Sequence, residues 1–298
     1  MKKYELTDEY IEIGFVTKIK LYRIKALVAI ASIGVNAGDL GGYVEKEANL
    51  DQSGDAWVSG NAKVSGNAKV SGNAKVCGNA EVYGNAEVYG NAWVYGDAVV
   101  YGNAWVYGDA VVSGNAKVCG DAVVYGNAWV YGDAEVYDDA EVYGNAEVYG
   151  NAEVSGNAKV CGDAEVYGNA KVYGDAWVFG NAKVFGNAKV FGNAEVFGNA
   201  KMCGDAWVFG NAKVFGNAEV CGDAEVCERS AIVWFSNVGT ECGTLTVFKT
   251  KQGVLWATRG CFSGSVEEFL KKSAEVHDEK IKREYQLLIE VAKSRLNN

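Results

Sequence analysis

The side chains here with the chemistry of a nucleophile, a soft metal ligand or a proton carrier near neutral pH are eight cysteines and one histidine, in a chain of 298 residues. Cys77, Cys119, Cys161 and Cys203 stand 42 residues apart, and three of them close the phrase Ser-Gly-Asn-Ala-Lys-Val-Cys, so they mark duplicated blocks. A metal centre needs several ligands converging on one point, and this spacing gives no such cluster. His277 lies between two helical segments beside Asp278 and Glu279. A histidine there reads as a solvated helix-end residue rather than a poised base. The glycines recur every six residues, as turns do, and are not flanked by the strand and helix of a phosphate-binding loop. The expectation is therefore no catalytic residue, no metal and no cofactor.

The elements that place these residues come from one six-residue phrase, written 29 times without interruption between Gly54 and Cys227. It runs Gly, Asn or Asp, Ala, a variable residue, Val, and a second variable residue. Such self-similarity means that each unit buries its apolar side only by stacking on its neighbours. Ala fills its column in all 29 units and Val in 28, with Met202 as the substitute. In a strand reading Ala-x-Val both point to one side, which is the core. Gly fills the first column except at Asp138, and Asn (19) or Asp (10) fills the second. These residues tolerate positive φ, so the chain turns a corner every six residues. There is no proline, as strands bonded on both sides require. An interior of Ala and Val alone is narrow, and a triangle is the smallest polygon that closes around it.

Runs such as Ser59-Gly60-Asn61-Ala62-Lys63-Val64 resemble the hexapeptide repeat of left-handed parallel β-helices. They are similar to those of uncharacterised bacterial and phage proteins of the acetyltransferase-like hexapeptide family. The likeness extends upstream through Leu21-Tyr22-Arg23-Ile24 and Ala37-Gly38-Asp39-Leu40-Gly41-Gly42-Tyr43-Val44. It implies an all-β solenoid, left-handed, with three hexapeptides per coil, so that 174 residues make about 9.7 coils. On that count 42 is not a multiple of 18, and successive cysteine blocks land on successive faces, too far apart to bridge. Cys203 and Cys221, 18 apart, become ladder neighbours and are expected as free thiols in a cytoplasmic chain.

Three segments follow. Residues 1–53 read as a β-rich N-terminal cap, with a half-buried strand over Lys18 to Leu27 and a turn cluster from Gly38 to Gly42. Leu50 falls in the Ala column, which starts the coil before Gly54. Residues 54–238 are the β-helix, its last two units carried by Ser230, Ile232, Ser236 and Val238. Residues 239–298 read as a ββαα domain. Thr244 to Lys249 and Val254 to Thr258 form a hairpin across Lys251-Gln252-Gly253, and Ser265-Val266-Glu267-Glu268 is a capping box. The first helix presents Phe269, Leu270 and Ala274, and the second Ile281, Tyr285, Leu288, Ile289, Ala292 and Leu296. Both ends of a solenoid expose strand edges and need such covers. The N-terminus lacks an apolar leader core, and Ala26 to Val35 is too short to span a bilayer. A cytoplasmic location is the expectation, with no membrane partner.

The first variable column holds Lys and Glu ten times each, Trp six times and Val three times. Stacked neighbours such as Lys63 and Glu81 are opposite in charge and help to fix register. The second variable column holds Tyr twelve times and Phe six times. Tyr89, Tyr107, Tyr125 and Tyr143 share one edge, as do Phe179, Phe197 and Phe215. Two readings stand side by side: an internal ladder of stacked rings over the turns, or a surface for assembly. Trp57, Trp93 and Trp129 on one face, and Trp105, enlarge the second. The solenoid carries a net charge of −11, which excludes a nucleic-acid backbone as partner.

These features point to a non-catalytic structural or interaction rod, a homo-oligomer or self-assembly that presents its end domains to partners. A second reading is a binder that holds a small ligand between protomers or beside the C-terminal domain. The family resemblance implies a third, acyl transfer from acyl-CoA with a histidine as base. The chain departs from it, since His277 lies outside the solenoid and no loop interrupts the 29 units.

Overall fold

The computed structural model describes residues 2–14, 16–250 and 252–296. It is a parallel β-solenoid of about ten turns, with an antiparallel strand region at its N-terminal end and a small domain of four strands and two helices at its C-terminal end. The chain divides into two compact units, Met1–Gly156 and Asn157–Asn298.

In the first unit, each six-residue phrase supplies one short strand, and strand i pairs with the strand 18 residues on. Lys63 pairs with Glu81 and Glu81 with Val99, which establishes three phrases per coil. Each side of a coil is held by three backbone bonds to the next. Asn61 N–H donates to Gly78 O at 2.8 Å, Lys63 N–H to Ala80 O at 2.9 Å and Ser65 N–H to Val82 O at 3.0 Å. Inside, every repeat Ala and Val is fully buried. Gly96 shows why the corner excludes other residues: its φ is +74°, and a Cβ would sit 3.0 Å from both the N and the O of Gly114. Asp138 holds φ +58° without being glycine, and its carboxylate accepts from Gly156 N–H at 3.2 Å.

The turn amides stack as well. Asn61 donates to Asn79 at 3.2 Å, and Asn79 donates to Asp97 at 2.9 Å. An ionised Asp accepts but cannot donate, so an Asp that follows an Asn receives from it, as Asp121 does from Asn103 and Asp133 from Asn115, whereas Asp139 follows Asp121 and Asp223 follows Asp205.

The cap is three strands, β1 (Tyr4–Ile13), β2 (Ile19–Ala26) and β3 (Leu40–Val44). β1 and β2 pair antiparallel, as do β2 and β3, while β3 runs parallel to the coil strand at Lys63 and Val64. Within the expected turn cluster only Gly38 turns; Gly41 and Gly42 lie in β3. They are glycine because a Cβ on Gly41 would meet Ile24 at 2.5 Å, and one on Gly42 would meet Ala62 O at 2.6 Å. Leu50 is buried, but it bridges Val70 and so occupies the Val position rather than the expected Ala position. Lys3 closes the open end of the first coil, its buried ammonium donating to the carbonyls of Ala56 at 2.8 Å and of Ser53 and Gly54 at 3.3 Å.

In the second unit strands again pair at an 18-residue interval, Lys159 with Trp177 and Glu195 with Lys213. One boundary differs from expectation. Ile232–Val238 is not a pair of degenerate coil units but the first strand of an antiparallel sheet, paired with Gly243–Lys249. Leu255–Arg259 and Phe262–Ser265 complete that sheet. The expected hairpin is present; Lys251 of its connection lies outside the described residues.

The helices α1 (Val266–Val276) and α2 (Glu279–Leu296) pack Phe269, Ile281, Tyr285, Ile289, Ala292 and Leu296 onto Leu245, Val247 and Ala257. The capping box forms, with Glu268 N–H on Ser265 Oγ at 3.2 Å and Ser265 N–H on Glu268 Oε2 at 2.9 Å. Ala274 faces outward and Ser273 takes the buried place instead. Two buried threonines end the solenoid. Thr246 Oγ1 accepts from Glu219 N–H at 3.0 Å, and Thr258 Oγ1 donates to Glu219 O at 2.6 Å.

Candidate interaction surface

The second variable residue of each phrase follows Val, so its side chain lies on the outer side of the corner. An 18-residue repeat then sets ring over ring at the strand spacing of about 4.8 Å. Tyr89 and Tyr107 stack with centroids 4.8 Å apart, Tyr107 and Tyr125 at 5.1 Å, and Tyr125 and Tyr143 at 4.9 Å, all within 8° of parallel. In the second unit Phe179, Phe197 and Phe215 stack at 4.8 and 5.0 Å. Most of these rings are half-buried, because each covers the next. Burial raises the phenol pKa of Tyr89 and Tyr107. A side-chain hydrogen bond to Cys119, helped by burial, pushes the Tyr101 phenol up to about 12. The edges are thus ladders, and they spend much of their apolar surface internally.

The tryptophans differ. They occupy the first variable column, between the two inward residues, and point straight off the faces. Trp93, Trp105, Trp129 and Trp177 are 43 to 48 % exposed. The pairing Trp57, Lys75, Trp93, Val111, Trp129 places three of the named tryptophans on one face, at every second strand. Trp105 stands on another face, between Glu87 and Val123. Three of the exposed rings lean on a corner ladder: Trp105 meets Tyr89 edge-on at 6.3 Å, Trp129 meets Tyr131 at 6.4 Å and Trp177 meets Phe179 at 6.2 Å, while Trp93 meets Tyr95, which stands between Cys77 and Ser113, at 6.3 Å. Lys75 Nζ sits 4.5 Å over the Trp93 ring.

Trp57 does not belong to this surface. It is 4 % exposed, with the edge of Tyr4 6.5 Å away. The reason is the cap, which covers the first strand of that face; the repeat pattern alone gives no sign of it. Ile33, Val35, Leu40 and Trp93 line a groove of about 430 Å³ beside Trp57.

Cys203 and Cys221 are joined as a disulfide, with Cα atoms 4.6 Å apart, against the expectation of two thiols. The corner stacking that brings ring onto ring brings sulfur onto sulfur, within disulfide reach. Glu219 Oε1 lies 3.9 Å from the Cys221 sulfur. With its two sulfurs bonded to each other, this group offers a metal one carboxylate and no thiolate. His277 ends α1, donating its backbone N–H to Ser273 O at 3.1 Å, with its ring 5.6 Å from that of Tyr285.

The family described as "YdcK Beta solenoid repeat" matches the chain at residues 86–102, 92–108 and 116–132. These segments lie among the coils that carry Trp93, Trp105, Trp129 and the tyrosine ladders. No curated protein matches the chain.

Proposed function

We propose that the protein is a non-catalytic structural and interaction module that associates with further copies of itself through its tryptophan-bearing faces and presents its end domains to other partners. The observation that carries this reading is the exposure of Trp93, Trp105, Trp129 and Trp177. Tryptophan is rarely left on a surface without use and is enriched at the centre of interfaces. The partner best suited to these faces is another copy. Their variable column holds Lys and Glu in equal number, so a second face of the same composition offers an opposite charge for each. This reading gives His277 no proton-transfer role, and it takes acyl transfer and a phage origin no further than the resemblance that raised them.

The test is the mass in solution of the protein and of a Trp93→Thr/Trp129→Thr variant, by sedimentation across a concentration series. Threonine keeps the strand propensity of the site. A concentration-dependent oligomer that the double variant loses, with melting unchanged, supports the reading. A protein monomeric at all concentrations removes it.

A further inference from the structure

The second unit contains a cleft of about 570 Å³, within the range of small-molecule sites, lined by Phe197, Lys213, Phe215, Arg229, Trp234 and Arg295, with Ser230, Ile232 and Val233 completing it. Four pieces of chain build it. The phenylalanine ladder and its neighbouring strand give Phe197, Phe215 and Lys213. The short turn Arg229–Ala231 gives Arg229, the first sheet strand gives Trp234, and the last turn of α2 gives Arg295. The ladder stops here: Phe215 has no further ring of its own column above it and meets Trp234 edge-on, centroids 4.4 Å apart.

The wall is aromatic and aliphatic, and the charged groups on its rim share one sign. In a chain of net charge −10, three cations converge on one cleft. Lys213 is engaged by Glu195 along its own face. Among the described residues neither Arg229 nor Arg295 makes an ion pair, and Trp234 Nε1–H has no protein acceptor. A second carboxylate, Glu228, lies in the adjoining polar groove with Asn193 and Asn211. Two guanidiniums and an indole N–H are donors only, and a guanidinium matches the paired oxygens of a carboxylate or phosphate.

We infer that this cleft is a binding site for a small amphipathic anion, with its apolar body of one or two rings against Phe197, Phe215 and Trp234 and its carboxylate or phosphate head between Arg229 and Arg295. The site lies within one chain, so it stands whether or not the tryptophan faces associate.

The experiment uses the full chain and three naphthalene probes of one shape: 2-naphthoate, 2-naphthyl phosphate and the neutral 2-naphthamide. Titration calorimetry and quenching of tryptophan emission follow binding. The expected result is saturable one-to-one binding of at least one anion, with the amide at least tenfold weaker. Arg229→Gln/Arg295→Gln should weaken the anion at least tenfold and leave the amide unchanged. Trp234→Phe keeps the ring but removes the N–H and should weaken the anion less. A carboxylate or phosphate preference identifies the head group. Equal binding of amide and anions, unchanged anion binding in the arginine variant, or no saturable binding of either anion overturns the assignment. Trp105→Thr, in the other unit, separates the cleft from adsorption to exposed indoles: loss of binding there also overturns it.

Discussion

The ammonium nitrogen of Lys3 lies 2.8 Å from the carbonyl oxygen of Ala56, where a preceding coil would otherwise supply a backbone N–H. A side chain thus takes the part of a missing strand and withholds that edge from a second chain. Lys3→Met keeps the length and removes the donor. It should cost about 1–3 kcal/mol, the penalty of leaving buried carbonyls unpaired, and chemical denaturation checks it. Burial holds the Lys3 pKa below its ordinary 10.5, despite Asp51 and Asp55 nearby. Between the lowered value and 10.5 the unfolded chain binds more protons than the folded one. The Lys3 contribution therefore makes stability rise with pH in that window, and Lys3→Met should lose this rise.

The tyrosine ladders titrate with the opposite sign. Folded phenols such as Tyr83, Tyr89 and Tyr107 are raised above 10.0 by burial, and Tyr101 is raised to about 12. Their contribution is complete below pH 10 and is lost as pH climbs through the folded values. Denaturation midpoints measured from pH 9 to 12 should fall, and Tyr101→Phe should fall less steeply. Tyrosinate absorbance should show ionisation delayed until unfolding.

Asn103 donates to Asp121 at 2.8 Å and accepts from Asn85 at 2.9 Å. Asn103→Asp keeps the acceptor, removes the donor and sets two carboxylates on adjacent coils. A loss of about 1 kcal/mol is expected, because the pair is exposed, and salt should recover part of it. Asn61→Asp, whose neighbour is Asn79, should cost less. Melting of both variants at low and high salt decides this.

The Cys203–Cys221 bond closes a loop of 18 residues. On the chain-entropy account its removal costs about 3 kcal/mol. Reductant should lower the melting temperature of the protein and leave that of Cys203→Ser unchanged. Intact mass after alkylation should show two more reactive thiols in the reduced form.

Much of the coil was legible, because Ala and Val return at one period and only one side of a strand Ala-x-Val can be inside. Its ends were less so. Ile232 and Val238 are six apart and fit an inward column, yet they share one antiparallel strand whose bulge after Ser236 turns Val238 to the face of Val233 and Leu245, opposite Ile232, and the partner Gly243–Lys249 decides the matter. Trp57 follows the same pattern as Trp93 and differs by what lies over it, which depends on the distant Tyr4. Cys203 and Cys221 were legible as neighbours but not as a bond, since spacing fixes proximity and not oxidation state. The cleft joins Phe197, Arg229 and Arg295, which share no sequence period.

The one-way run of amides through the turns also sets how this protein ages. Slow hydrolysis turns an asparagine into an aspartate, and in a loop such damage is often silent. Here it deletes a donor from a column in which each member leans on the next. The harm depends on position: at Asn79, beneath Asp97, it creates a repelling pair, whereas at Asn67, beneath Asn85, it does not. Where an Asp stands one coil after an Asn, it therefore marks that Asn as the amide with the least tolerance for time.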